Sequence, residues 1–318
     1  MLYYSILVFN TSNFPAQRSP CLKNTLLIFG VSGFIGTHLL QYLKKNAVET
    51  EFLIVGVVST EKEANEVDLD HLEIVNTLDD CTVPKIIQKI KPNYIVNLIG
   101  LFRAASYQEF LRTNVEISRN ILEAVANSGV LETRLLFIGS AAEYGAVTAN
   151  PVSEQALNRP VGLYGLSKVF QTQLIQYYHQ VFGVQSIVAR TFNLIGEGIS
   201  ASLSVGNFQI QINAAKDGDT MAVGNLAPER DFLQVETAVE LFMHLLKHGN
   251  AGEVYNVCSG KPIRIGDLLA DMIRKSRKKI AVEVSPKLVR GNDISQIYGD
   301  RRKLDELLIQ FSGDRNNV

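Results

Sequence analysis

Tyr164 and Lys168 stand four residues apart. On a helix that spacing is one turn, so both side chains lie on one face. A lysine cation beside a phenol favours the phenolate and lowers the phenol's pKa. The tyrosine then serves as a general acid or base near neutral pH. A hydroxyl joins the pair, because Ser140 follows the strand-like run 135–139. Ser140, Tyr164 and Lys168 are the candidate catalytic residues.

A second constellation is Gly30-Val31-Ser32-Gly33-Phe34-Ile35-Gly36. It follows the apolar run 26–29 and opens a helical pattern that reaches about residue 45. A strand, a tight glycine turn and a helix make an anion site. Gly30 permits the turn, Gly33 lets backbone approach a pyrophosphate, and Gly36 lets helix and strand pack closely. The context, not the glycines alone, points to a nicotinamide dinucleotide. Ser32, Phe34 and Ile35 complete the expected cradle.

The next strand decides which dinucleotide. A carboxylate about 20 residues past the glycines would accept from the ribose 2′-hydroxyl of NAD. In Ile54-Val55-Gly56-Val57-Val58-Ser59-Thr60 that position holds Val58. Ser59 and Thr60 offer hydroxyls to a 2′-phosphate, and Lys62 adds charge. The expectation is NADP(H) preferred, with NAD(H) possible.

These residues need a scaffold. Strand-length runs at 26–29, 52–58, 72–75, 94–98, 135–139 and 186–190 alternate with helical patterns at 35–45, 83–90, 110–128 and 164–182. Repeated β-α units predict an α/β fold, a doubly wound parallel sheet with ligands at the strands' carboxyl ends. After Asn193 the strands shorten, and helices are expected at 265–276 and 301–310. The expected organisation is an extension over 1–22, a Rossmann domain over 23–192 with 232–258 returning to it, and a smaller C-terminal lobe. That lobe takes 193–231 and 259–318 and binds substrate.

Composition narrows the partners. The chain has 318 residues, 46% of them hydrophobic, enough for a large core. A formal net charge of −1 and no basic stripe exclude nucleic acid as an expected partner. Lys and Arg around 274–279 read as a solvated helix face. Cys21, Cys81 and Cys258 have neither disulfide-framework nor metal spacing. A reducing cytoplasm suits them. His244 and His248 share a helix face without a nearby third ligand, so no metal is expected. No apolar run is long enough to span a bilayer.

Several segments together resemble the extended short-chain dehydrogenases that act on nucleotide sugars. They are GVSGFIG at 30–36, KPNYIVNLIG at 91–100, GSAAEYG at 139–145, YGLSK at 164–168, ARTFN at 189–193 and ERDFLQV at 229–235. The resemblance implies that Ser140, Tyr164 and Lys168 form the catalytic triad and that Asn114 helps hold a water and the lysine. It implies adenine contacts at Asn76 and Thr77, and further cofactor contacts at Leu98, Ile99 and Gly100. VGNLAPERDFLQV, GEVYNVCSGKPIRI and RTFNLIGEG are most similar to the GDP-4-dehydro-6-deoxy-D-mannose reductases. The implied substrate is a nucleoside-diphosphate sugar, with Arg230 and Arg290 on the diphosphate, Asp293 on a ribose hydroxyl, and Asn193 on diphosphate or sugar.

A dehydratase of this superfamily carries a carboxylate next to the catalytic Ser or Thr. Here Ala141 and Ala142 follow Ser140, and Glu143 comes one place later. Hydride transfer to a C4 ketone needs no such acid, so reduction is favoured over elimination. A 4-epimerase that retains NAD is the alternative, and a non-catalytic dinucleotide sensor is a more distant one. The family commonly dimerises through its long helices, here 110–128 and 164–182, so a homodimer is expected.

Overall fold

The computed structural model describes residues 23–46, 48, 51–289 and 294–311. The six apolar runs of the first two thirds become strands β1 Asn24–Phe29, β2 Phe52–Val58, β3 Leu72–Ile74, β4 Tyr94–Asn97, β5 Arg134–Ser140 and β6 Gln185–Thr191. Three strands then leave that layer: β7 Asn193–Ile195, β8 Thr220–Val223 and β9 Glu229–Gln234. The chain returns through β10 Val254–Val257 and ends with β11 Pro262–Arg264, β12 Ala281–Val284 and β13 Gln296–Ile297.

The large sheet has seven strands in the order β10-β6-β5-β4-β1-β2-β3. Every neighbouring pair is parallel. Such strands are buried on both faces and read as continuous apolar runs. The order reverses between β1 and β4. Connections leave in opposite directions there and open a crevice beyond the strand ends.

One face is covered by the helices Phe34–Lys45 and Val235–His248, with Leu39, Leu43, Val239 and Phe242 fully buried. The helices Thr82–Ile90, Ile117–Asn127 and Leu163–Phe182 cover the other, burying Ile87, Ile121, Leu122 and Ile175. Full burial of each such side chain contributes about 1.5–3 kcal/mol. The helix Arg302–Gln310, expected in the smaller lobe, puts Leu304 and Leu307 into the first of these cores. Those apolar residues, three apart, find their surface on the large sheet's helices.

The smaller lobe is built around β9, which pairs with β7 and β13 in parallel and with β11 antiparallel. β8 and β12 pair beside it. The helices Ser204–Ala214 and Ile265–Ser276 close over Phe208, Ile212, Met221, Val223 and Leu269.

The long helix expected over 110–128 is interrupted. It starts at Tyr107–Phe110, passes through a π-helical turn at Leu111–Glu116 and resumes as Ile117–Asn127. π turns often mark functional sites, and this one carries the fully buried Asn114. Among the described residues no helix is long and apolar enough to cross a membrane. His248 stacks on Phe311 at 4.4 Å, with His244 beside it at 4.8 Å. The expected extension over 1–22 lies outside the described residues.

Candidate active site

Ser140 ends β5, and its backbone and side chain start a short helical turn. Ser140 Oγ accepts from Ala142 N at 3.2 Å, while Ser140 N donates to Glu143 Oε1 at 2.9 Å. Tyr164 and Lys168 come from the first turn and a half of the helix Leu163–Phe182. Lys168 Nζ donates to the carbonyl of Ile138 at 2.6 Å, which ties that helix to β5. Ser140 and Tyr164 line one cavity, while Lys168 is buried and bound to β5.

The electrostatics differ from the expectation. Burial raises the Tyr164 pKa, the Ser140 hydroxyl opposes this, and the charge of Glu143 adds to the rise. Burial also pushes Lys168 down to about 8, with Glu143 opposing. Desolvation sets the direction of the phenol's shift, opposite to the lowering expected from Lys168, and the lysine's ammonium is turned to Ile138. A phenol held above its ordinary pKa keeps its proton at neutral pH and suits a proton donor.

Glu143 is fully buried and meets Arg190 Nη2 at 2.6 Å. It also accepts from Thr172 Oγ1 at 2.9 Å, on the helix that carries Tyr164. Its carboxylate faces the interior, and Ala141 and Ala142 occupy the two places after Ser140.

Asn114 sits beneath the same centre. Its Oδ1 accepts from Leu101 N at 2.7 Å, and its Nδ2 donates to Leu101 O and to Ser167 Oγ, each at 2.9 Å. Side chains added at Gly100 would lie 3.9 Å from both Asn114 Oδ1 and Lys168 Nζ. Asn114 thereby shapes the loop after β4 over the lysine.

A cavity of about 800 Å³ is lined by Ser140 and Tyr164. Its lining includes Gly30, Gly33, Phe34, Ile35, Gly36, Leu98 and Gly100. Gly30 has φ +80°, and a Cβ on Gly36 would stand 2.4 Å from the Val31 carbonyl. The helix that begins here has no side-chain cap and no acidic residue in its first turn. Its open N–H groups suit an anion, so the turn fits a pyrophosphate. Ile99 packs behind Gly30, with its backbone N on Asn97 Oδ1 at 3.2 Å.

The same cavity is also lined by Asn193, Asn225 and Arg230. Arg230 and Asp231 alternate on β9. Asp231 is buried and accepts from Ser259 N, Ser259 Oγ, Gly260 N and Gly299 N. Arg230, on the opposite side of the strand, lines the cavity. Asn193 Nδ2 donates to Asp231 O at 2.9 Å. Arg290 and Asp293 lie outside the described residues, and Leu288 lines the cavity just before them.

Other predicted residues lie outside this enclosure. Asn76 and Thr77 are exposed, and Thr77 Oγ1 donates to Asp79 at 3.0 Å. Ser59 and Thr60 are occupied by a residue the sequence reading passed over. Glu63 accepts from Ser59 Oγ at 2.7 Å, from Ser59 N at 3.1 Å and from Ser32 Oγ at 3.1 Å. Thr60 Oγ1 accepts from Glu63 N at 3.2 Å and caps the helix Glu61–Glu66. Phe102 and Arg103 in the cavity wall were also missed. They follow KPNYIVNLIG after one intervening residue, Leu101, the one signal that pointed to them.

With this geometry in place, relatives become informative. The model of the NAD dependent epimerase/dehydratase family matches residues 26–258. The chain belongs to that family. It is 29% identical over 294 residues to the GDP-6-deoxy-D-mannose reductase of Pseudomonas aeruginosa, covering 90% of this chain and 91% of the relative. It is 26% identical over 285 residues to the GDP-6-deoxy-D-talose 4-dehydrogenase of Aggregatibacter actinomycetemcomitans, covering 89% and 90%. The solved structure of RMD from Pseudomonas aeruginosa complexed with NADPH superposes with a TM-score of 0.75 at 26% identity, covering 90% of this chain and 92% of that one. Family and fold together make this a nicotinamide-dinucleotide oxidoreductase or epimerase.

Proposed function

We propose that this chain reduces the C4 keto group of a nucleoside-diphosphate 4-keto-6-deoxy sugar, of the GDP-4-dehydro-6-deoxy-mannose type. One observation carries the reading. The cavity between the glycine turn and Arg230 holds a proton donor, Tyr164, while Glu143 is locked behind Ser140 by Arg190. The site is equipped for hydride chemistry and lacks the second acid that elimination needs. Both relatives named above act on GDP-6-deoxy sugars, which supports GDP and a 6-deoxy hexose here.

A reduced nicotinamide, when bound, supplies the hydride. Gly30, Gly33 and Gly36 hold its pyrophosphate end, and Lys168 holds the nicotinamide ribose. The hydroxyls of Ser140 and Tyr164 polarise the sugar carbonyl, and Tyr164 gives its proton to the oxygen as that becomes an alkoxide. Arg230 neutralises the sugar's diphosphate, since a guanidinium fork matches phosphate oxygens. Asn193 reaches the diphosphate or sugar. Arg290 and Asp293 are assigned to diphosphate and ribose on the resemblance alone.

The enzyme works as a homodimer in a reducing cytoplasm. Leu163, Phe170, Tyr177 and Val181 form an exposed apolar stripe on one long helix, suited to a second copy. A 4-epimerase is the second reading, favoured by the Glu63 carboxylate between the glycine turn and β2, which suits retained NAD. Product analysis with GDP-4-keto-6-deoxymannose and reduced cofactor separates the two.

A further inference from the structure

A dinucleotide on the glycine turn sets its adenosine ribose over the tip of the second strand. The hydroxyls expected to meet a phosphate there, those of Ser59 and Thr60, both engage Glu63 instead. Ser59 follows β2, and Ser32 lies within the glycine turn. One carboxylate thus bridges the two elements between which the ribose lies. A carboxylate offers about four lone-pair sites, and three protein donors leave room for a ribose hydroxyl.

The local charge agrees with this. Residues 59–66 contain Glu61, Glu63 and Glu66, one lysine and no arginine. Lys62 is 86% exposed and lies 4.0 Å from Glu66, on the outer face of its helix. The Ser59 hydroxyl, the Ser59 N–H and the Ser32 hydroxyl hold the Glu63 carboxyl below its usual pKa, so it is ionised at neutral pH. A 2′-phosphate adds about −1.5 to −2 charges, and like charges face to face are strongly disfavoured.

We propose that Glu63 reads the adenosine ribose as a free 2′-hydroxyl, so that the chain prefers NAD(H) to NADP(H). The carboxylate missing at Val58 is supplied five residues later, where the chain folds back on the strand tip. This revises the NADP(H) preference expected from Ser59, Thr60 and Lys62. It rests on the dinucleotide lying on the glycine turn, and it is independent of which sugar is reduced.

Direct binding tests it without turnover. The chain has no tryptophan, so the fluorescence of NADH and NADPH themselves reports their binding. Wild type should bind NADH at least about tenfold more tightly than NADPH at low salt, with the ratio shrinking as salt screens the repulsion. Glu63→Gln should weaken NADH binding and bring the ratio near unity, with its fold verified by circular dichroism. Equal or tighter NADPH binding by wild type, or an unchanged ratio in Glu63→Gln, overturns the proposal. Binding of neither dinucleotide overturns it together with the assignment of the glycine turn. Reduction of another sugar leaves it standing and changes only the substrate reading.

Discussion

Glu143 and Arg190 meet at 2.6 Å with neither side chain more than 3% exposed. The pair links three parts of the active centre. Glu143 Oε1 accepts from the backbone of Ser140, and Oε2 accepts from Thr172 on the helix of Tyr164 and Lys168. Arg190 belongs to β6, the neighbour of β5. The carboxylate that a dehydratase would place beside its serine is here replaced by one that organises the site from behind.

Breaking this pair should therefore be costly. Glu143→Gln leaves a buried guanidinium uncompensated, with an expected loss of about 3–5 kcal/mol. The shift of the urea midpoint measures that loss. A variant of wild-type stability would contradict the role given to the pair.

Gly165 packs against the Ser140 turn. A Cβ there would stand 2.4 Å from the Ala142 carbonyl. Gly165→Ala must push the helix of Tyr164 and Lys168 off that turn. A displacement near 1 Å typically costs on the order of 100-fold in turnover. Steady-state kinetics should show a fall in kcat larger than any change in cofactor affinity.

Tyr164→Phe removes the proton donor and keeps the ring against Phe110. The expected fall in kcat is about 10²–10⁴-fold, with cofactor binding nearly unchanged. Near-wild-type turnover would remove Tyr164 from the chemistry.

Lys168 gives a pH signature. Its pKa is about 8 in the folded chain, against an ordinary value of 10.5. Below pH 8 both folded and unfolded chains carry the charge, and the fold bears the full desolvation penalty. Between pH 8 and 10.5 only the unfolded chain holds the proton, so stability rises with pH across that window. Lys168→Met should be more stable than wild type at pH 7, by about 1–3 kcal/mol. The gap should close as pH approaches 10.5. Thermal melts of both proteins without cofactor across this range provide the comparison.

The placement of Ser140 and Tyr164 on one cavity was legible in the sequence because its information is local. Four residues set the Tyr164–Lys168 face, and the strand before Ser140 sets its direction. The strand 52–58 forms within the expected bounds, since buried parallel strands are continuous apolar runs. Glu63 was not readable that way. Its carboxylate reaches Ser59 and Ser32 only because Thr60 starts a helix that bends it back to the strand tip. The lobe strands β7, β11 and β13 have three, three and two residues, too few to show a period. Asn114 is oriented by a π turn inside a helix whose periodicity gave no sign of it. The pKa shifts of Tyr164 and Lys168 depend on burial by distant segments, which spacing does not encode.

The central claim is net reduction at C4. Incubation with GDP-4-keto-6-deoxymannose and an equimolar reduced nicotinamide dinucleotide, followed by loss of nicotinamide absorbance and separation of the sugar products, tests it directly. Net reduction oxidises one cofactor per ketone consumed and yields a single GDP-6-deoxy-hexose with a new C4 hydroxyl. Interconversion of C4 epimers with no net cofactor oxidation would contradict it and establish an epimerase.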